Sequence, residues 1–145
     1  MIEGVKVSKL KIIEVHGGNV LHALKASESD FSGFGEAYFS MIDFKIIKGW
    51  KRHKKMTLNL VVPIGSIRFI LFDSRVGSPT FGDITEIILS NSNYSRLKIP
   101  PMVWFGFQGM EMSTSMLLNI ANIPHNKSEI EEKSLDEINF DWRLD

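Results

Sequence analysis

The densest reactive chemistry in the chain lies in Lys45-Ile46-Ile47-Lys48-Gly49-Trp50-Lys51-Arg52-His53-Lys54-Lys55, where six cations and a histidine fall within eleven residues. In extended backbone the side chains alternate, so Gly49, Lys51, His53 and Lys55 share one face while Lys48, Trp50, Arg52 and Lys54 share the other. One face can then point into a barrel and the other outward. His53 is the candidate general base, because an imidazole can accept and return a proton. Lys51, on the same face, either stabilises a developing anion or acts as the base itself. Two blander readings compete. Lysines can keep an edge strand from pairing with another chain, and basic residues interleaved with Trp50 can contact single-stranded nucleic acid.

Composition narrows these choices. The chain has 145 residues, 43% of them hydrophobic, which suits one core and a single domain. Seventeen Lys plus Arg balance seventeen Asp plus Glu, so attraction of the whole molecule to nucleic acid or an anionic membrane is not expected, and phosphate binding must be local. The zero is itself a sum of the basic segment and an acidic stretch after Pro124. Cysteine is absent, which excludes disulfides, thiolate metal sites and a thiol nucleophile. With only His16, His22, His53 and His125 available, a catalytic metal is not expected. No run of roughly eighteen apolar residues occurs, and the start Met1-Ile2-Glu3-Gly4 lacks the pattern of a signal peptide, so the expected location is the cytoplasm with no membrane partner.

The elements that must position these residues read as strands. Short apolar or alternating runs cover residues 5–11, 20–25, 35–40, 46–51, 57–62, 66–73, 84–90, 96–99, 103–108 and 115–122, separated by Gly-, Pro- and Asn-rich turns. This spacing predicts an all-β sandwich or barrel. The near-continuous apolar run Ser66-Ile67-Arg68-Phe69-Ile70-Leu71-Phe72-Asp73 predicts a strand covered on both faces. Phe69, Phe72, Trp104, Phe105 and Phe107 read most simply as core. Residues 1–124 form the expected barrel. In residues 125–145 the apolar Ile130, Leu135, Ile138, Phe140 and Trp142 stand among acids, which predicts a short amphipathic helix or tail packed on that barrel.

Two sets of residues then resemble a known family. Asp73-Ser74-Arg75-Val76-Gly77-Ser78-Pro79-Thr80-Phe81-Gly82, followed by Leu89-Ser90, Leu97-Lys98-Ile99-Pro100-Pro101 and Gly106-Phe107, resembles the dTDP-4-dehydrorhamnose 3,5-epimerases, a branch of the cupin-fold enzymes acting on nucleotide-linked 4-keto-6-deoxy sugars. Lys48-Gly49-Trp50-Lys51-Arg52-His53-Lys54-Lys55, with Gly65-Ser66 and Arg68, resembles the 3,4-ketoisomerase branch of that family. The resemblance implies a cupin-type double-stranded β-helix, a nucleotide-diphosphate sugar as substrate, no cofactor, and a homodimer with strands contributed across its twofold axis.

Residue by residue, the resemblance carries over in part. Lys51 stands where the epimerases have their catalytic histidine, whereas His53 matches the second of two ketoisomerase histidines. Phe105 occupies a position where both branches have histidine, and the epimerases' acid tyrosine would fall near Leu118. Tyr38 matches a ketoisomerase tyrosine, Glu36 an epimerase glutamine, and Lys48 a phosphate-contacting arginine. The implied roles are His53, Lys51 and Tyr38 in proton transfer, and Lys48, Glu36, Arg68, Arg75 and Trp50 in substrate binding. The expected activity is epimerisation or keto transfer on a 4-keto sugar nucleotide in polysaccharide or deoxysugar synthesis. The alternative is a cupin that binds sugar nucleotides or carbohydrate without catalysis.

Overall fold

Alternating apolar and polar residues bury one face of a strand and leave the other to solvent or to a covering segment, and the chain uses both outcomes. The computed structural model describes residues 1–144. In chain order the strands are β1 (Lys6–Lys9), β2 (Ile12–Ile13), β3 (Val20–Leu21), β4 (Glu36–Ile42), β5 (Ile47–His53), β6 (Leu58–Ile64), β7 (Ser66–Asp73), β8 (Ile84–Ser90), β9 (Ser95–Ile99), β10 (Val103–Gly109), β11 (Ser115–Ala121) and β12 (Ile130–Glu132). They form two five-stranded antiparallel sheets, ordered β1-β9-β6-β11-β4 and β12-β5-β10-β7-β8, and β2 pairs with β3 as a small hairpin. This is the jelly-roll architecture expected from the sequence.

The two sheets bury their facing side chains against each other. Leu58, Leu60 and Val62 of β6, Ile67, Phe69 and Leu71 of β7, and Val103 and Phe105 of β10 make the main core. β7 lies between β10 and β8, as its apolar run predicts. Its outward residue Ile70 is buried too, because a second apolar cluster of Trp50, Ile70, Trp104, Ile138 and Trp142 forms where the C-terminal segment crosses the outside of the second sheet.

That segment is not an α-helix. It runs as a 3₁₀ turn (Lys127–Glu129), strand β12, and a second 3₁₀ turn (Leu135–Glu137). The edge of β5 explains this, since a row of free amides and carbonyls is satisfied by a strand and not by a helix. β12 pairs Ile130 with His53, Glu131 with Arg52 and Glu132 with Lys51, and Trp50 and Lys133 exchange backbone hydrogen bonds of 3.0 and 3.1 Å. The expected strand over 20–25 also stops early, at Leu21. The next carbonyls serve side chains instead: Tyr94 Oη donates to His22 O (2.7 Å) and Arg96 Nη1 to Ala23 O (2.9 Å).

The simple alternation expected along β5 is broken in the middle. Phe105 faces Lys51 but Phe107 faces Lys48, so β5 carries one extra residue in a bulge. Lys48 thereby turns to the same side as Lys51 and His53. Gly49 permits the close passage of β10, since a Cβ there would sit 2.7 Å from Gly106 Cα. Among the described residues no helix is long and apolar enough to cross a membrane.

Candidate active site

A cleft of about 380 Å³ opens between the sheets, with β4, β6 and β11 on one side and β5, β10 and β12 on the other. Its walls include Tyr38, Ser40, Lys48, Lys51, His53, Leu58, Phe105, Phe107, Asn119 and Glu132. The core strands β6 and β10 supply its apolar floor, and the strands near the sheet edges supply its polar groups. Among the described residues no three His, Asp or Glu side chains converge to hold a metal ion.

His53 is the best-anchored group in the cleft. It is buried, lies nearly parallel to the Phe105 ring, and is joined through Nδ1 to Oε1 of Glu129. Glu129 is itself clamped, because its Oε2 accepts from the amides of Lys55 (3.1 Å) and Met56 (3.2 Å) and its carbonyl accepts from Lys54 N (2.8 Å). Burial pushes the Glu129 carboxyl up, but the hydrogen bonds from His53 and the two amides outweigh it and hold the group below its ordinary value. A carboxylate at Nδ1 fixes the tautomer with its proton on that nitrogen, and Nε2 is left to accept a proton from a molecule in the cleft.

Tyr38 reaches the cleft from β4, the opposite sheet. Burial, and then the negative charge of Glu36, raise its phenol above the ordinary tyrosine value, which keeps it a proton donor. Behind it Asn119 Nδ2 donates to Ser40 Oγ at 3.0 Å. Lys48 Nζ donates to the carbonyl of Met41 at 2.7 Å, at the exposed end of the cleft. The Lys51 side chain makes no hydrogen bond or ion pair among the described residues, and Glu132 stands opposite it on β12.

The structure thus brings His53, Lys51, Tyr38 and Lys48 together. Glu36 lies two residues before Tyr38 at the start of β4, beyond the residues that wall the cleft. Trp50 borders the cleft but turns its indole away from it, and two other candidates lie elsewhere. The Trp50 indole is on the outer side of the second sheet, 5.2 Å from the Trp142 ring centroid, and its Nε1 donates to Leu135 O at 3.3 Å. Arg68 is on that outer side as well, paired with Glu86 (2.8 Å) and placed over Phe140. Arg75 closes the turn after β7, donating to both Asp73 oxygens and to Glu3 O. Strand parity accounts for Trp50 and Arg68, because both occupy positions that alternate away from the core. Leu118 also faces outward, and its neighbour Asn119 is the β11 residue in the cleft.

Glu129 and Asn119 are the groups that the sequence did not single out. Asn119 follows once β11 is assigned its inward parity. Glu129 has no local signal, since it is 76 positions from His53 within an acidic stretch that reads as solvated.

Comparison with known proteins agrees with the fold. Residues 2–145 match the model of the dTDP-4-dehydrorhamnose 3,5-epimerase family, and the chain belongs to that family of sugar-nucleotide epimerases. A crystal structure of a dTDP sugar isomerase from Desulfovibrio desulfuricans G20 superposes with a TM-score of 0.94 at 40% identity, covering 97% of this chain and 92% of that one. Among curated relatives, the probable low-salt glycan biosynthesis epimerase Agl13 of Haloferax volcanii is 25% identical over 97% of this chain and 89% of its own. The spore coat polysaccharide biosynthesis protein SpsL of Bacillus subtilis is 26% identical over 100% and 99%.

Proposed function

We propose that the protein is a cofactor-independent isomerase of a 4-keto-6-deoxy sugar nucleotide, of the 3,5-epimerase or 3,4-ketoisomerase type, serving polysaccharide or deoxysugar synthesis. The observation that carries this reading is the placement of a carboxylate-anchored histidine, a lysine and a protonated tyrosine around one cleft between the sheets.

A ketone acidifies the hydrogens on its neighbouring carbons, so the chemistry needs a base, a group to stabilise the developing enolate, and an acid to return the proton. His53 Nε2 is the base. Lys51 supplies positive charge beside the carbonyl, and Tyr38, coming from the opposite sheet, returns a proton to the other face of the carbon. Donor and acceptor on opposite walls suit inversion at a carbon. Lys48, at the open end, is placed for the diphosphate. The family and the dTDP sugar isomerase neighbour support a nucleotide-linked sugar as ligand.

The test is proton exchange. Incubation with dTDP- or GDP-linked 4-keto-6-deoxy sugars in deuterated water is expected to place deuterium beside the ketone, and His53→Ala and Tyr38→Phe are each expected to slow this by about a hundredfold or more. Thermal stabilisation by these ligands without any exchange would overturn catalysis and leave a binding protein.

A further inference from the structure

The wall of the cleft facing Lys51 and His53 is built from Tyr38 and Ser40 of β4 and Asn119 of β11. Asn119 stands directly opposite Tyr38 in the antiparallel β4–β11 register, so their side chains share a face with Cβ atoms about 5 Å apart. Asn119 is only 7% exposed, and its amide is locked in one orientation. Nδ2 donates to Ser40 Oγ at 3.0 Å and lies 3.4 Å from the carbonyl oxygens of both Tyr38 and Leu117. Carbonyl oxygens only accept, so the reversed amide would set Oδ1 against two oxygens that have no hydrogen to give it. Oδ1 therefore faces the other way. It accepts no hydrogen bond among the described residues, and it is not sealed inside the protein, because the buried polar side-chain atoms without partners there are Asp30 Oδ2, Arg68 Nε and Trp142 Nε1. Ser40 supplies the complement. Its Oγ accepts from Asn119, which leaves its own hydrogen free to donate to a molecule in the cleft.

We infer that Asn119 and Ser40 form a subsite for the hydroxyl on the ring carbon beside the ketone, and that Asn119 sets the specificity for it. The inference rests on the keto-sugar reading above. In a 4-keto-6-deoxy sugar that carbon is C3, since C5, on the other side of the ketone, carries the methyl carbon and the ring oxygen instead. A hydroxyl both donates and accepts, so it satisfies Asn119 Oδ1 and the Ser40 hydrogen together. Other groups do not. A ketone oxygen cannot donate to Oδ1 and is turned toward Lys51, which is where the enolate charge needs it. A carbon bearing hydrogen alone leaves a nearly buried amide oxygen without a partner, and that oxygen has already lost most of its contact with water. An ammonium substituent donates to Oδ1 but cannot accept from Ser40. Because Tyr38 is the cross-strand neighbour of Asn119, a sugar held by its C3 hydroxyl on this wall also presents the adjoining ring carbons to the phenol.

A pair of ligands tests this: dTDP- or GDP-linked 4-keto-6-deoxy sugars with the C3 hydroxyl, and their 3-deoxy analogues. Both kinds keep hydrogens beside the ketone, so deuterium uptake and calorimetric binding can be measured for each. The wild-type protein is expected to favour the hydroxyl by about a hundredfold or more in kcat/KM, because a site built around a substrate hydroxyl rejects the analogue that lacks it. Asn119→Leu, similar in size but without the acceptor, is expected to bring the two sugars within about threefold of each other. An asparagine that only supports the wall would slow both sugars alike and keep the ratio, and that result overturns the proposal. Ser40→Ala, which removes the donor and keeps Oδ1, is expected to lower the ratio about tenfold and serves as the second variant. A wild-type ratio within about threefold overturns the subsite without any variant, so misfolding of Asn119→Leu does not shield it, and exchange in that case leaves the isomerase reading intact. Binding without exchange sinks the isomerase reading, and the subsite then survives only if the hydroxyl sugar binds at least tenfold more tightly than its analogue. Neither exchange nor binding with any of these ligands sinks both.

Discussion

At the scale of single residues, the unusual feature is that the proposed base, His53, is positioned by a residue from a distant part of the chain. Glu129 does not reach the floor of the cleft; it holds the far side of the His53 ring, and its own second oxygen is held by two backbone amides. Glu129→Gln is expected to lower kcat by about ten- to a hundredfold with KM little changed, and Glu129→Asp to recover part of the loss. A merely structural role would move both constants or neither. The same residue gives a stability signature. Its folded-state carboxyl lies below the ordinary value of 4.5, so its stabilisation is fully present above that pH and is lost as the pH falls through the folded value. Denaturation midpoints of wild type and Glu129→Gln should therefore differ at pH 7 and converge as the pH falls below the ordinary carboxyl range. A constant gap would show that charge on Glu129 contributes nothing.

At the scale of elements, the C-terminal segment is a strap. β12 extends the second sheet by one strand, and Ile138 and Trp142 close over Trp50, Ile70 and Trp104 on its outer face. Trp142 also rests on Gly106, where an added Cβ would stand 3.0 Å from the indole. Trp142→Ala is expected to cost about 3 kcal/mol, the usual scale for removing a buried aromatic. Loosening the strap should also expose Trp50 and shift tryptophan emission to longer wavelength, and unchanged emission with unchanged stability would refute this account. The apolar residues of the strap were legible in the sequence, and so were β7 and β8, whose bounds follow from dense β-branched and aromatic runs. Strand β12 was not. Its residues Ile130, Glu131 and Glu132 carry no strand pattern of their own, and their conformation is set by the free edge of β5. The β5 bulge escaped for a similar reason, because it depends on Gly106 passing close to Gly49 on a neighbouring strand.

At the scale of the whole molecule, the balanced charge separates into parts that meet. The basic β5 and the acidic strap are adjacent, joined by Arg52 to Glu131 at 2.6 Å and by His53 to Glu129. The outer face of the first sheet remains uncovered near its β4 edge: Phe39 is 63% exposed, Met41 47% and Ile64 55%. The β2–β3 hairpin likewise exposes Ile12, Ile13 and Val20. An apolar face beside an open strand edge fits a self-complementary contact with a second copy, which is the homodimer we propose. Sedimentation velocity is expected to show a dimer for the wild type and a shift toward monomer for Phe39→Glu. A wild-type monomer at all concentrations would remove this proposal.

The 76 positions between His53 and Glu129 have a consequence in time. A chain leaves the ribosome N-terminus first at about 5–20 residues per second, so the histidine emerges about 4–15 s before the carboxylate that aligns it. During that interval the two sheets can begin to pair while the imidazole is still free to rotate. On the proposed mechanism a nascent chain is thus catalytically silent until its strap is synthesised, and competence arrives with assembly as a single late event.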